Sequence, residues 1–241
     1  MINTTIDKKT STTTIESPAV SARVEDTSLA RKSTERKRVL VGFDLGTNAS
    51  CVLAGSADAK DVSVSKIIPT VVGYAREGLV DGIIANNATI LIGDEALAHR
   101  LQLKVIAPLE DGVIAHPAAA KDFIKRLRAI IDPSGLAEIR VVVGVPANAA
   151  DPAREDIRNC AAGVFDRVLL IPEPFLAALG FRDESRLGQS AYVDPVTNSL
   201  FIDIGGGTSD ICLIQGFFPT ADDQISLPFA GDAIDKLIED E

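Results

Sequence analysis

The chain has 241 residues, of which 46% are hydrophobic, enough for a sizeable core and for one large or two small domains. A formal net charge of −10 and 5% aromatic residues with no Trp argue against nucleic acid as a main partner, because both a basic footprint and a stacking platform are missing. No apolar run approaches the roughly 18 residues of a membrane span, so no transmembrane segment is expected.

The first residues, Met1-Ile2-Asn3-Thr4-Thr5-Ile6-Asp7-Lys8-Lys9, lack the apolar core of a secretory leader. Cys51, Cys160 and Cys212 are widely spaced and follow no metal-binding pattern. They read as small buried residues of a reduced, cytoplasmic protein. Residues 1–37 are Ser/Thr-rich and interspersed with charge, which predicts a disordered tail. Its basic end, Arg31-Lys32 and Arg36-Lys37-Arg38, could meet an acidic partner or an anionic lipid surface. It could equally serve as a solvated leader for the first strand.

From Val39 to Leu53 two apolar runs flank Asp44-Leu45-Gly46-Thr47-Asn48, which predicts a β-hairpin with a small polar turn. A third extended piece follows over 62–68. Residues 69–107 differ in texture and predict a small inserted subdomain with a helix from Asp94 to about Leu103. Pro108-Leu109-Glu110-Asp111-Gly112-Val113-Ile114 is expected to return the chain to the main sheet. A helix is predicted over 118–131, ended by Asp132-Pro133-Ser134-Gly135. Arg140 to Pro146 runs apolar without alternation, as in a buried parallel strand. Asp151-Pro152 reads as an N-cap with Pro in the first helical position, and a strand is expected over 167–171.

Glu173 stands between that strand and an apolar helix opening at Pro174. A carboxylate is favoured near a helix N-terminus for electrostatic reasons alone. It could also point into a cleft and orient or deprotonate a water. Both readings stay open at this point.

Leu200 to Ile214 repeats the first hairpin, now as Asp203-Ile204-Gly205-Gly206-Gly207-Thr208 between apolar runs. Consecutive glycines permit positive φ and let backbone N–H groups crowd around one anion. Asp203 suits a magnesium ion better than a bare phosphate. Superposing Asp44 on Asp203 aligns Leu45-Gly46 with Ile204-Gly205, and such internal repetition predicts a duplicated architecture. Two opposed hairpins could clamp a nucleotide's phosphate tail, with both Asp residues sharing a hydrated Mg²⁺. A loop and strand over 216–228 and a helix from Gly231 complete the chain. The signatures G-x-x-x-x-G-K-[ST], H-E-x-x-H and G-x-G-x-x-G are absent, and His99 and His116, the only histidines, suggest no metal set.

With these motifs in order, the chain resembles the actin–Hsp70–sugar kinase superfamily. Asp44-Leu45-Gly46-Thr47-Asn48 looks like its first phosphate motif, Glu173-Pro174 like its first connecting helix, and Asp203 to Thr208 like its second phosphate motif. Val71-Val72-Gly73-Tyr74, Ile92-Gly93-Asp94-Glu95-Ala96, Pro108 to Val113, Gly144-Val145-Pro146-Ala147, Asp223-Gln224-Ile225 and Ala230-Gly231-Asp232 are similar to bacterial actins of the MreB group, especially their magnetosome-filament branch.

The resemblance covers residues 38–241 and implies an α/β, actin-like ATPase (ribonuclease H-like) fold. It implies a first domain at 38–196, with the inserted subdomain at about 69–107, and the start of a second domain at 197–241. It also implies ATP and Mg²⁺ as cofactors and self-association into filaments, with magnetosome or cytoskeletal adaptor proteins as further partners. Asp44 and Asp203 would hold Mg²⁺ through water. Gly46, Thr47, Asn48, Gly205, Gly206, Gly207 and Thr208 would bind phosphates. Glu173 would position the attacking water, and Gly231 and Asp232 would approach the nucleotide.

Two departures stand out. Ala230-Gly231 replaces the family's Gly-Gly, and no later glycine-rich adenosine motif follows, which leads to the expectation of a C-terminally truncated reading of a longer protein. The alternatives are an Hsp70-like or sugar-kinase-like enzyme, a cell-shape ATPase of MreB type, and a non-catalytic partner that modulates a full-length filament protein. Neither a sugar-binding acid nor a peptide-binding domain is visible.

Overall fold

The computed structural model describes residues 36–240 apart from Lys60 and Phe217. The tail expected over 1–37 therefore lies outside the described residues except for its last two. Arg36 is anchored: its guanidinium donates to the carbonyls of Leu136 and Ala137 and to Asp166.

A five-stranded mixed sheet forms the centre, in the order β10-β9-β1-β2-β3. Its members are β1 (Arg38–Leu45), β2 (Ala49–Ser56), β3 (Val62–Pro69), β9 (Glu138–Val145) and β10 (Arg167–Pro172). β1, β2 and β3 are antiparallel neighbours, whereas β9 runs parallel to both β1 and β10. β1 buries Val39, Val41, Phe43 and Leu45 on one face, as the two-residue period of a strand requires. Against that face pack α2 (Pro117–Ile131) and α3 (Asp151–Ala161). α2 supplies Ala120, Phe123, Ile124 and Leu127, all essentially inaccessible. Pro117 opens α2, where its missing N–H costs nothing. The opposite sheet face carries exposed Leu40, Leu53, Ile67 and Leu169.

The insertion is a small module of its own. β4 (Val72–Ala75), β5 (Ile90–Ile92) and β6 (Leu103–Ile106) form a sheet in the order β5-β4-β6, with α1 (Gly93–Ala98) and a core of Ile84, Ala96 and Leu103. The helix is shorter than expected, and β6 takes residues that the sequence assigns to the helix and its exit. Leu103 explains the difference: it packs where a Cβ on Gly73 would come within 2.6 Å of it. Tertiary burial outweighs local propensity here. The Tyr74 hydroxyl donates to Asp122 on α2 at 3.0 Å, and burial beside that carboxylate pushes the phenol up to about 12.

Residues 108–114 do not rejoin the main sheet. β7 (Leu109–Glu110) and β8 (Val113–Ile114) pair only with each other, across a two-residue turn in which Asp111 and Gly112 both have positive φ. That conformation matches hairpin twist and favours Asp-Gly. The α3 cap also differs by one position, since Ala150 occupies the N-cap and Asp151 begins the helix without a side-chain cap bond.

α4 (Glu173–Phe181) leads from β10 to a second sheet, β11 (Ser199–Ile204), β12 (Ser209–Ile214) and β13 (Gln224–Leu227), all antiparallel. Ala178 of α4 packs with buried Cys212 and Ile214, flanked by Phe175 and Phe201. α5 (Gly231–Glu239) ends the described chain. No described helix is long and apolar enough to cross a membrane.

Candidate functional site

Three strands of the main sheet end at one level. Asp44 near the end of β1 is in register with Gly144 on β9, and Gly144 with Ile171 on β10. The chain then turns through Pro172 into Glu173, the first residue of α4. A Cβ on Gly144 would stand 2.9 Å from Cγ of Glu173, so glycine there makes room for the glutamate. Ligands favour the carboxyl ends of parallel strands for this topological reason.

The second hairpin faces the first. Asp203 on β11 is opposite Asp210 on β12. Gly205 N–H donates to the Thr208 carbonyl at 2.9 Å, which closes the glycine turn. The two turns line one cleft of about 270 Å³ with Asp44, Gly46, Thr47, Asn48, Glu173 and Asp203 on its walls, together with Gly205, Gly206, Gly207 and Thr208. Every proposed phosphate, metal or water-positioning residue therefore meets in one place except Gly231 and Asp232. Those two stand behind the second turn, where their N–H groups donate to the carbonyls of Gly205 (3.2 Å) and Gly206 (2.9 Å).

Close approach to backbone calls for glycine at 207, and at 206 glycine leaves room for a neighbouring side chain. A Cβ on Gly206 would lie 2.7 Å from the Asn48 amide, and one on Gly207 would lie 2.9 Å from both Cα of Asp111 and the Thr47 hydroxyl. Gly112 N–H donates to that hydroxyl at 3.0 Å. The β7–β8 turn is thus wedged between the two hairpins.

Three residues of this region escape sequence reasoning. Gly112 and Pro146 line the cleft. Asp210 is buried and accepts from Ala147 N–H (2.8 Å) and the Thr208 hydroxyl (2.9 Å), so it ties the loop after β9 to the second turn. A carboxylate at an inward position of an apolar strand is the available signal, because a buried charge must be hydrogen-bonded.

The cleft is electrostatically unbalanced. Loss of water and the neighbouring carboxylates Asp44, Asp210 and Asp203 push Glu173 up to about 8. Asp44 is raised by desolvation and by Asp203, and since the residue is exposed by surface area the push is smaller than for Glu173. Asp203 is raised by desolvation and by Asp210. Crowded carboxylates of this kind favour either a proton or a cation. Among the described residues no group of three or more His, Cys, Asp or Glu is arranged to hold a bare ion. Asp44 and Asp203, on facing hairpins beside glycine turns, suit a hydrated, phosphate-bound Mg²⁺, an ion that gives up its waters reluctantly. The donor set therefore fits a magnesium–nucleotide.

Comparison with known proteins finds relatives of this fold. The chain is 28% identical over 209 residues to the actin-like protein MamK of Paramagnetospirillum magneticum, covering 85% of this chain and 54% of that protein. A solved MamK double helical filament superposes with a TM-score of 0.70 at 29% identity, over 84% of this chain and 58% of the other. MreB5 of Spiroplasma citri bound to ADP superposes with a TM-score of 0.60 at 26% identity, over 85% and 57%. The chain spans about half the length of the curated MamK relatives it matches. The family model described as MreB/Mbl protein matches residues 38–240, and the chain, with its actin-like α/β fold, belongs to the MreB/Mbl family.

Proposed function

We propose that this protein binds ATP with Mg²⁺ between its two glycine hairpins, hydrolyses it, and assembles into actin-like filaments. The observation that carries the reading is the convergence of Asp44, Asp203 and Glu173 with both glycine turns in one cleft. Similarity to a protein solved as a double helical filament and to another solved with ADP supports it.

In this reading backbone N–H groups of residues 46–48 and 206–208 cradle the β- and γ-phosphates, while the Gly205 N–H closes its turn on the Thr208 carbonyl. Asp44 and Asp203 hold the hydrated Mg²⁺, which when bound offsets negative charge on the phosphates. Glu173 orients the attacking water and accepts its proton. Its raised affinity for a proton suits a base that must be poised near neutral pH. Phosphoryl transfer asks for little covalent help from the protein, so positioning and charge supply the rate.

The division into a first domain at 38–196, an insertion at about 69–107 and a second domain beginning at 197 belongs to the same proposal, supported by the separate β11–β13 sheet. So do a cytoplasmic, cytoskeletal location and a role in organising magnetosomes through adaptor proteins, the finer reading that similarity to MamK favours over a cell-shape role.

The test is phosphate release and sedimentation with Mg-ATP, for the parent chain and Glu173→Ala. The expected result is that Glu173→Ala sediments as the parent does while phosphate release falls at least about a hundredfold, the usual scale for loss of a positioned base. Unchanged release would remove Glu173 from the mechanism. A parent chain that neither binds nor hydrolyses ATP would overturn the reading.

A further inference from the structure

Asp232 does not line the cleft, yet its carboxylate accepts a 2.7 Å hydrogen bond from Nδ2 of Asn48, which does. The bond spans 184 residues of chain and joins the first hairpin to the start of α5. It passes over Gly206, where even one carbon more would collide with the Asn48 amide at 2.7 Å. On its other side Asp232 is fastened to the same glycine, since its own N–H donates to the Gly206 carbonyl at 2.9 Å. One residue thus grips both turns: its backbone holds the second and its side chain holds the first.

We propose that Asp232 is a positioning residue, which clasps Asn48 across Gly206 and so sets the separation of the two turns. The functional consequence rests on the reading of the cleft as a nucleotide site. The clasp itself does not. A bond to a carboxylate is stronger than a neutral one of the same geometry, and this one lies open to solvent, which reduces its net strength. The Asn48 amide has a second N–H that the clasp leaves free, so holding Asn48 in place and donating to a phosphate oxygen are compatible. Asp232 therefore acts through Asn48, and not by touching the nucleotide.

The polarity of the pair makes the idea testable, because amide and carboxylate can be exchanged. Asn48→Asp sets two carboxylates face to face. Asp232→Ala removes the acceptor. Asn48→Asp combined with Asp232→Asn restores an amide–carboxylate bond in the reverse direction. Hydrogen exchange of the segment containing Gly231 and Asp232 is measured on the full chain without nucleotide. The clasp predicts about tenfold faster exchange in Asn48→Asp and in Asp232→Ala, the scale of one lost bond to a charged group, and return to within about threefold of the parent in the exchanged pair. Failure of the exchanged pair to recover, or unchanged exchange in both single variants, overturns the clasp.

Affinity for a fluorescent ATP analogue with Mg²⁺ is then measured on the same proteins. About tenfold weaker binding in Asp232→Ala is expected, with Asp232→Asn closer to the parent because its amide oxygen still accepts. An Asp232→Ala protein that binds as tightly as the parent would detach the clasp from the site. If the parent binds no nucleotide, the functional reading falls while the exchange data still decide the clasp.

Discussion

Replacing Glu173 by Gln should stabilise the protein at alkaline pH and leave it unchanged in acid. Glu173 has its pKa raised from 4.5 to about 8 by desolvation and by Asp44, Asp210 and Asp203. A carboxyl group with a raised folded pKa binds more protons folded than unfolded, so stability falls as pH rises between the two values. That part of the stability is complete below pH 4.5 and is lost as pH climbs through about 8. Each tenfold gain in proton affinity corresponds to about 1.4 kcal/mol, which sets a ceiling of roughly 4–5 kcal/mol at pH 8. Solvent still reaches the cleft and screens the repulsion, so an effect of about 1–3 kcal/mol is predicted. Gln keeps the shape and cannot ionise. The assay is urea unfolding of parent and Glu173→Gln at pH 5 and pH 8.5, without Mg²⁺ or nucleotide. The gain should be small at pH 5 and appear mainly at the higher pH, and saturating Mg-ATP should shrink it by supplying positive charge to the ionised parent. An equal difference at both pH values would show that Glu173 is not crowded by charge.

Two further outcomes follow from the packing. Phe123→Ala empties the centre of α2 against the main sheet, where Phe123 is fully buried. It should cost about 3–5 kcal/mol in urea unfolding, and a cost under about 1 kcal/mol would contradict the description of the core. Gly144→Ala sets a methyl group 2.9 Å from Cγ of Glu173 and should displace that side chain. Phosphate release is expected to fall about tenfold or more, since small misplacements of a reacting group are costly, while the unfolding midpoint moves little. A normal rate would separate Gly144 from the placement of Glu173.

The hairpins are legible in the sequence because their signals are local. Apolar runs on either side of Asp44-Leu45-Gly46 and Asp203-Ile204-Gly205 define strand, turn and strand within about fifteen residues each. The unbroken apolar run Val141 to Val145 marks β9 as parallel and central in the same way. What escapes depends on contacts distant in sequence. Asp111 and Gly112 lie in a stretch expected to rejoin the main sheet, and their place shows only when Thr47 and Gly207 are seen around them. Asp210 reads as one polar residue in a strand, and only the folded chain brings Ala147 N–H to it. Resemblance has Asp232 approach the nucleotide, and only the folded chain brings its side chain to Asn48. β6 is hidden because Gln102-Leu103 and their neighbours carry no clear period, and the pairing with Val72–Ala75 decides their conformation.

Calorimetric titration of the parent chain with ATP, in the presence and absence of Mg²⁺, probes the cleft most directly. It is repeated with Asp44→Asn combined with Asp203→Asn. Saturable binding that requires Mg²⁺ and weakens at least about tenfold in the double variant is the predicted result, because those carboxylates face each other across the two glycine turns. Binding indifferent to Mg²⁺, or unchanged after both substitutions, would contradict the assignment of this cleft to a magnesium–nucleotide.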